Sequence, residues 1–362
     1  MPDGPSQRQP RLHMTVEPYL AVAMQLTARS VDGAGSPAAA RRAILDHIAE
    51  VERQIRGTRA FLEVFTGTPL KLAVLPEYLF TSFESGAIAD FRARAVFAPD
   101  GPEYAALGAV ARRLGIFLAG NAYESDPAFP GIHFQCCFVF APTGQRILTY
   151  RRLNSMYAAT PHDIWSRFLK VHGADAVFPV VDTEIGRLAA IASEEILYPE
   201  NARAHALKGA EIFLHSSSEV GSPLATPKHI ARRARALENL AYVVSANTAG
   251  VAGKALPLAS ADGNSAVIDW KGNIVSESNP GETFTAFAEI DIAAVRRDRR
   301  KPGMSNYLAR QRLELFRETY AGMVQPADSL LGPDGAIVEP TRQHFEQVAR
   351  ATIARRESEG LI

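Results

Sequence analysis

Short apolar runs alternate with amphipathic stretches along most of this chain, and this alternation limits the folds that it can adopt. Residues 70–77, LKLAVLPE, are almost continuously apolar, which is typical of a strand covered on both faces. Residues 36–56, SPAAARRAILDHIAEVERQIR, have a helix start signal and the apolar spacing of an amphipathic helix. Residues 191–219, IASEEILYPENARAHALKGAEIFLHSSSE, indicate a strand, a turn, a helix and a second strand. The sequence therefore predicts an α/β protein.

Two hairpins interrupt this alternation, one in each half of the chain. Residues 132–154, IHFQCCFVFAPTGQRILTYRRLN, predict a hairpin that turns at Pro142-Thr143-Gly144. Residues 263–278, GNSAVIDWKGNIVSES, predict a second hairpin that turns at WKGN. This order of elements indicates a layered domain in which two sheets are sandwiched between helices.

The chain divides into three predicted segments. Its first residues, MPDGPSQRQPRLH, are polar and contain proline, so residues 1–14 are predicted to be a disordered arm. Residues 15–300 carry the alternating pattern and form the predicted domain. Beyond them, SNYLARQRLELFRETYAGM and EPTRQHFEQVARATIARRES predict helices, so residues 301–362 are interpreted as a C-terminal extension that acts as an oligomerisation arm.

Composition argues against several classes of protein. Thirty-nine basic residues balance 39 acidic residues, which gives no footprint for nucleic-acid binding. No apolar run approaches the roughly 20 residues needed to cross a bilayer, so no membrane partner and a cytoplasmic location are expected. The only two cysteines, Cys136 and Cys137, point to opposite faces of a predicted strand, which argues against a disulfide framework or a zinc site. No glycine-rich phosphate loop or histidine ligand spacing occurs, so no cofactor or metal is predicted.

Polar side chains follow the apolar strands, where reactive groups gather in open α/β sheets. These residues are Glu77, Arg151, Arg152, Ser193, Glu194, Glu195, His215, Ser216, Ser217 and Asn247. A carboxylate, a guanidinium and a hydroxyl at three strand ends can form a nucleophilic site, for which Glu77, Arg151 or Arg152, and Ser193 are candidates. Each also has a structural interpretation: a carboxylate can cap a helix, an arginine can form a surface ion pair, and a serine can bond a free amide at a turn.

Taken in order, five segments resemble the nitrilase, or carbon–nitrogen hydrolase, superfamily over about residues 18–300. They are LAVLPEYLF, YRRLN, the stretch 191–219, RARALENLAYVVSANTAG and the second hairpin. The resemblance implies a nitrilase-like four-layer α-β-β-α sandwich, and the predicted C-terminal helical extension lies outside it. It also implies a general-base role for Glu77 and a homodimer or larger homo-oligomer.

Two positions depart from the family pattern. The family's nucleophilic cysteine lies six positions before the proline of a Pro-Glu pair, and here that position holds Ser193. The family's catalytic lysine is matched by Arg152 in YRRLN. The additional glutamate of many relatives is not evident, and Asp163, or less well His162, is the nearest polar residue that replaces it. The resemblance therefore implies a Glu-Arg-Ser set in place of Glu-Lys-Cys.

These substitutions change the expected chemistry and leave three interpretations open. A serine hydroxyl attacks poorly unless a base removes its proton, and an arginine keeps its charge but cannot shuttle a proton. In the first interpretation, the protein acts on an amide, nitrile or related acyl group of a small molecule, with Ser193 as nucleophile or donor, Glu77 as base and Arg152 as anion clamp. In the second, it is catalytically silent and binds a small carboxylate or serves as a subunit. In the third, serine replaces cysteine to trap an intermediate.

The residues predicted to bind substrate are Tyr78, Asp163, Glu194, His215, Ser216 and Asn247.

Overall fold

The computed structural model describes residues 16–222, 224–261 and 263–362, and the predicted arm at residues 1–14 lies outside them. The strands are β1 Tyr19–Ala23, β2 Thr27–Arg29, β3 Leu70–Val74, β4 Phe117–Ser125, β5 His133–Phe140, β6 Arg146–Arg151, β7 Val181–Thr183, β8 Gly186–Ala192, β9 Ile212–Ser217, β10 Tyr242–Asn247, β11 Gly250–Ala252, β12 Ala266–Ile268, β13 Ile274–Glu277 and β14 Phe287–Ile290. The helices are α1 Pro37–Thr66, α2 Ile88–Ala95, α3 Pro102–Leu114, α4 Trp165–His172, α5 Pro199–Leu207, α6 Pro227–Asn239, α7 Ile292–Arg300, α8 Arg317–Tyr320 and α9 Arg342–Ser358.

The strands form two six-stranded sheets of similar topology. Their orders are β14-β1-β3-β4-β5-β6 and β13-β12-β10-β9-β8-β7, while β11 and β2 form a small separate sheet. Strands β1, β3 and β4 run parallel in the first sheet, and β8, β9 and β10 run parallel in the second. The pairs β5–β6 and β12–β13 are antiparallel, which confirms both predicted hairpins.

Three buried apolar clusters define four layers. The first cluster holds α1 and α3 against the outer face of one sheet and includes Ile44 and Leu118. The second lies between the two sheets and includes Val74 and Leu214. The third holds α5 and α6 against the second sheet and includes Phe213. The predicted α-β-β-α sandwich is therefore confirmed.

The longest helix, α1, has clear start and stop signals. The Ser36 hydroxyl accepts a hydrogen bond from the Ala39 amide at 3.2 Å, Pro37 occupies the first turn, and Gly67 ends the helix with a φ of 74°. Within the described ranges, none of the helices combines the length and the apolarity that a bilayer crossing requires.

The adjacent cysteines lie on opposite faces of β5. Cys137 packs between the sheets with Leu214, whereas Cys136 belongs to a fourth apolar cluster with Phe168 and Phe345. This arrangement follows from the alternation of side chains along a strand and confirms that the two thiols face different layers.

The C-terminal extension packs partly on its own domain. The Leu330 amide donates to the Asp163 carbonyl at 2.9 Å, and Phe345 of α9 is buried against the cluster at α4. The helix predicted over residues 305–323 is wrong for most of its length, because this segment forms only a short 3₁₀ turn at Leu313–Phe316 and α8. Most of its apolar side chains, including Leu315, remain exposed, and a helix without a packed face is marginal in water. A role in oligomerisation stays a prediction.

Candidate active site

Two hydrogen bonds join the carboxyl ends of β3 and β9 across the sandwich. The Glu77 amide donates to the Ser217 carbonyl at 3.3 Å, and the Ser216 hydroxyl donates to the Leu75 carbonyl at 2.8 Å. The polar residues that follow strands in both sheets therefore meet along one edge.

The Glu77 carboxylate is bonded to an amide and a guanidinium. It is 2% exposed, and its Oε1 accepts from Gln135 Nε2 at 2.7 Å and from Arg152 Nη1 at 3.3 Å. Gln135 Oε1 accepts from the same arginine nitrogen, and Gln135 Nε2 also donates to Asn121 Oδ1 at 3.1 Å. Gln135 thus fixes the relative positions of the carboxylate and the cation. The sequence analysis did not identify Gln135, although it is a polar residue inside the apolar strand HFQCCFVF.

Arg152 is bonded through each of its side-chain nitrogens. Nη2 donates to Glu194, and Nε donates to the Asn154 carbonyl at 2.7 Å. Burial acts to lower the pKa of Arg152, but the carboxylates of Glu77 and Glu194 outweigh it and raise this pKa above its ordinary value. The guanidinium is therefore a fixed positive charge held between two carboxylates.

Ser193 lies at a sharp turn directly after β8. Its φ is 50°, in the left-handed region that residues other than glycine rarely occupy, and it is 5% exposed. Its carbonyl accepts from His215 Nε2 at 2.9 Å, and Ser245 Oγ lies 2.8 Å from His215 Nδ1. Burial lowers the pKa of His215 to about 3, so the ring is neutral at pH 7, with its proton on Nε2 and the Ser245 hydroxyl donating to Nδ1. His215 therefore positions the backbone of Ser193.

Glu195 links the segment that carries Ser193 to the segment that carries Arg152. Its carboxylate accepts from the Leu153 amide at 2.6 Å, from the Ala192 amide at 3.1 Å and from the Tyr150 hydroxyl at 2.9 Å. Burial raises the pKa of Glu195 to about 7, against the opposing effect of Arg152 and these donors. Because it is fully enclosed, Glu195 has a structural role.

Lys228 contacts the hydroxyl of Ser193, and the sequence analysis did not identify it. Its Nζ lies 3.2 Å from Ser193 Oγ, 3.4 Å from Ser217 Oγ and 2.7 Å from the Ser218 carbonyl. Lys228 is 9% exposed and lies in the first turn of α6, whose start is marked by Thr226 as the cap and a proline at the next position. The signal in the sequence is the tripeptide TPK, which places a lysine directly inside a helix start.

Four of the predicted substrate-binding residues use side-chain polar atoms in hydrogen bonds within the protein. His215 and Ser216 make the contacts described above. Asp163 accepts from the Thr160 hydroxyl at 2.7 Å and from the Ser329 hydroxyl at 2.7 Å, and thereby attaches the C-terminal extension. Asn247 Nδ2 donates to the Gly263 carbonyl at 2.7 Å and holds the loop before β12.

The other two predicted substrate-binding residues are Tyr78, which lines a cavity, and Glu194, whose side chain is partly exposed. Tyr78 has a φ of 38° and, together with Phe83 and Ser218, lines a cavity of about 150 Å³. Burial and the neighbouring Glu77 carboxylate raise the pKa of Tyr78 well above its ordinary value. The Glu194 side chain is 32% exposed. A larger cavity of about 750 Å³ is lined by residues that include Leu153, Asp163, Trp165, Tyr198 and Tyr320.

In the ranges that the structure describes, no group of three or more histidine, cysteine, aspartate or glutamate residues is arranged to hold a metal ion.

Comparisons with known proteins identify the family. The family model for carbon-nitrogen hydrolases matches residues 14–300. A protein named nitrilase from Pyrococcus abyssi is 28% identical over 231 residues, covering 63% of this chain and 80% of the relative. Omega-amidase NIT3 of Saccharomyces cerevisiae is 27% identical over 231 residues, covering 61% of this chain and 75% of the relative.

A solved structure supports the same fold. The crystal structure of Saccharomyces cerevisiae Nit3, a member of branch 10 of the nitrilase superfamily, superposes with a TM-score of 0.59 at 21% identity. The match covers 80% of this chain and 96% of that chain. Since the family model spans most of the sequence, the chain belongs to the carbon-nitrogen hydrolase family of the nitrilase superfamily.

Proposed function

We propose that this protein hydrolyses a carbon–nitrogen bond of a small amide through an ester formed on Ser193. The observation that carries this proposal is the contact of the Ser193 hydroxyl with Lys228 Nζ at 3.2 Å, at a turn with a φ of 50°. Backbone strain of this kind is concentrated at functional sites, and a nucleophile bonded to a basic side chain is the usual arrangement for acyl transfer.

In the proposed reaction, Ser193 Oγ attacks the amide carbonyl carbon and the amine or ammonia leaves. Water then cleaves the ester and restores the hydroxyl. The fixed charge of Arg152 favours negative charge that develops on the carbonyl oxygen. Amides are preferred over nitriles because serine enzymes cleave amides by this route, and because one relative is named an omega-amidase.

The contacts of Glu77 do not support the role of general base that the sequence suggested. Its carboxylate is bonded to Gln135 and Arg152, while the Ser193 hydroxyl is bonded to Lys228. We therefore propose that Glu77 holds Arg152 in place.

The proposal is tested by ammonia release from a panel of short aliphatic amides, with nitriles and activated acyl compounds included. We expect release from at least one amide, and a loss of about 10³-fold or more in Ser193→Ala. Ser276→Ala is the matched control, because the Ser276 hydroxyl bonds the Thr285 carbonyl away from the site, and it should retain activity. Intact mass spectrometry after rapid quenching should detect the acyl group on the wild-type chain alone. Absence of product from every amide would reject the proposal.

A catalytically silent protein is the second candidate. The burial of Ser193, which is 5% exposed, and the commitment of Arg152 to two carboxylates favour it. In that case the panel gives no product, while a small carboxylate that displaces the exposed Glu194 from Arg152 raises the melting temperature. The third interpretation, a trapping variant, is tested by the natural gene sequence at codons 193 and 152.

A further inference from the structure

We propose that Lys228 is the catalytic residue that accepts the proton of Ser193. This inference rests on the proposed function, in which Glu77 holds Arg152 in place and Ser193 therefore needs another base. In the described part of the chain, Lys228 is the titratable side chain whose polar atom is bonded to Ser193 Oγ.

The other titratable neighbours are already engaged elsewhere. Glu77 is bonded to Gln135 and Arg152. His215 faces Ser193 from β9, but its Nε2 donates to the backbone carbonyl and its Nδ1 accepts from Ser245. His215 could take the hydroxyl proton only by losing a buried hydrogen bond, and the described contacts of the Glu77 carboxylate are with Gln135 and Arg152 instead of Ser193.

The surroundings of Lys228 differ from those of a structural lysine. Its Nζ lies within 3.4 Å of uncharged oxygens of Ser193, Ser217 and Ser218, and none of the ion pairs within the described ranges includes it. Lys254, which is comparably buried, pairs instead with Asp32. A carboxylate partner favours the charged ammonium, whereas a base must be available in its neutral form.

The proton balance of the reaction follows from this geometry. Neutral Lys228 takes the hydroxyl proton while Ser193 Oγ bonds to the carbonyl carbon, and the π electrons move to the carbonyl oxygen. The ammonium of Lys228 then protonates the leaving nitrogen as the carbon–nitrogen bond breaks. In the second half, Lys228 takes a proton from water as the hydroxide oxygen bonds to the ester carbon. It returns that proton to Ser193 Oγ when the ester bond breaks.

Ser217 serves as a positioning residue for Lys228. Its hydroxyl lies 3.4 Å from Nζ, and its carbonyl accepts from the Glu77 amide at 3.3 Å. Ser217 ends β9, which this amide bond joins to the opposite sheet. Its hydroxyl therefore helps to hold Nζ next to Ser193.

The test compares Lys228→Arg with Lys228→Met. Arginine keeps the positive charge and its donors but cannot accept a proton, so both variants should lose about 10²-fold or more in the rate of Ser193 acylation. The probe is 4-nitrophenyl acetate, and acylation is followed by nitrophenolate release and by the mass of the intact chain. Lys254→Arg is the matched control and should remain within about threefold of wild type.

A second variant separates proton transfer from a structural role. In Lys228→Ala, added ethylamine should restore acylation in proportion to the free-base concentration, whereas guanidinium at the same concentration should not. Rescue of this kind does not follow from repacking alone.

Different results would reject the Lys228 assignment and the proposed amide hydrolysis. Lys228→Arg within about threefold of wild type, no ethylamine rescue, or an equal loss in Lys254→Arg would each overturn the assignment to Lys228. Failure of Ser193 to react in the wild type would overturn it as well. Amide hydrolysis that persists in Lys228→Arg leaves the proposed function intact, while acylation by the ester without amide hydrolysis rejects only the proposed function.

Discussion

Replacement of Arg152 by methionine should destabilise the protein strongly, because it leaves the buried Glu77 carboxylate without its charged partner. Glu77 is 2% exposed, and without the guanidinium it keeps only the Gln135 contact at 2.7 Å. Removing one partner of a buried ion pair costs about 3–5 kcal/mol, since the remaining charge is neither hydrated nor paired. We expect the free energy of unfolding of Arg152→Met to fall by this amount in urea denaturation at pH 7.

A double-mutant cycle isolates the pair. Glu77→Gln removes the stranded charge, so the double variant should be more stable than Arg152→Met alone by about 2 kcal/mol. Arg152→Lys should lose only about 2 kcal/mol, because one nitrogen can stay with Glu77 while the partly exposed Glu194 is hydrated. If the effects of Glu77→Gln and Arg152→Met add within about 0.5 kcal/mol, the explanation from the buried pair is wrong.

Two further predictions concern parts of the structure around this pair. Because burial lowers the pKa of His215 to about 3, its ring should stay neutral from pH 5 to 9, and its NMR signals should not shift over that range; a midpoint near 6.5 would contradict the hydrogen bonds assigned to it. Phe345→Ala should lower the free energy of unfolding by about 3 kcal/mol, since the ring fills the cluster between α4 and the extension; an unchanged denaturation midpoint would show that the extension adds no stability.

The sequence predicted the layered architecture because its signals are local. Continuous apolar runs such as residues 70–77 mark buried strands, and turn residues such as Gly144, with a φ of 85°, mark the hairpins. The helix predicted over residues 305–323 does not form over most of that length, because most of the apolar side chains in the segment have no buried surface to pack against. Local spacing indicates which helix is possible, while tertiary packing decides which helix forms.

The candidate site was harder to predict because its contacts depend on geometry across the sandwich. Strand ends predicted Glu77, Arg152 and Ser193, of which the structure bonds Glu77 to Arg152 and Ser193 to Lys228. The side chains that join them, Gln135 and Lys228, lie inside a strand and at a helix start, where position alone gives no reason to select them. Asp163 shows the opposite case, since a polar residue near a matching motif proved to secure the C-terminal extension.

The hydrogen bond between His215 and the Ser193 backbone bears on which side chains position 193 can carry. His215 holds residue 193 by its carbonyl oxygen, an atom that every amino acid possesses. The position of the backbone at residue 193 is therefore independent of whether its side chain carries sulfur or oxygen. A single codon change can exchange thiol for alcohol without breaking this contact, and in the mechanism proposed above the proton acceptor lies on the neighbouring helix.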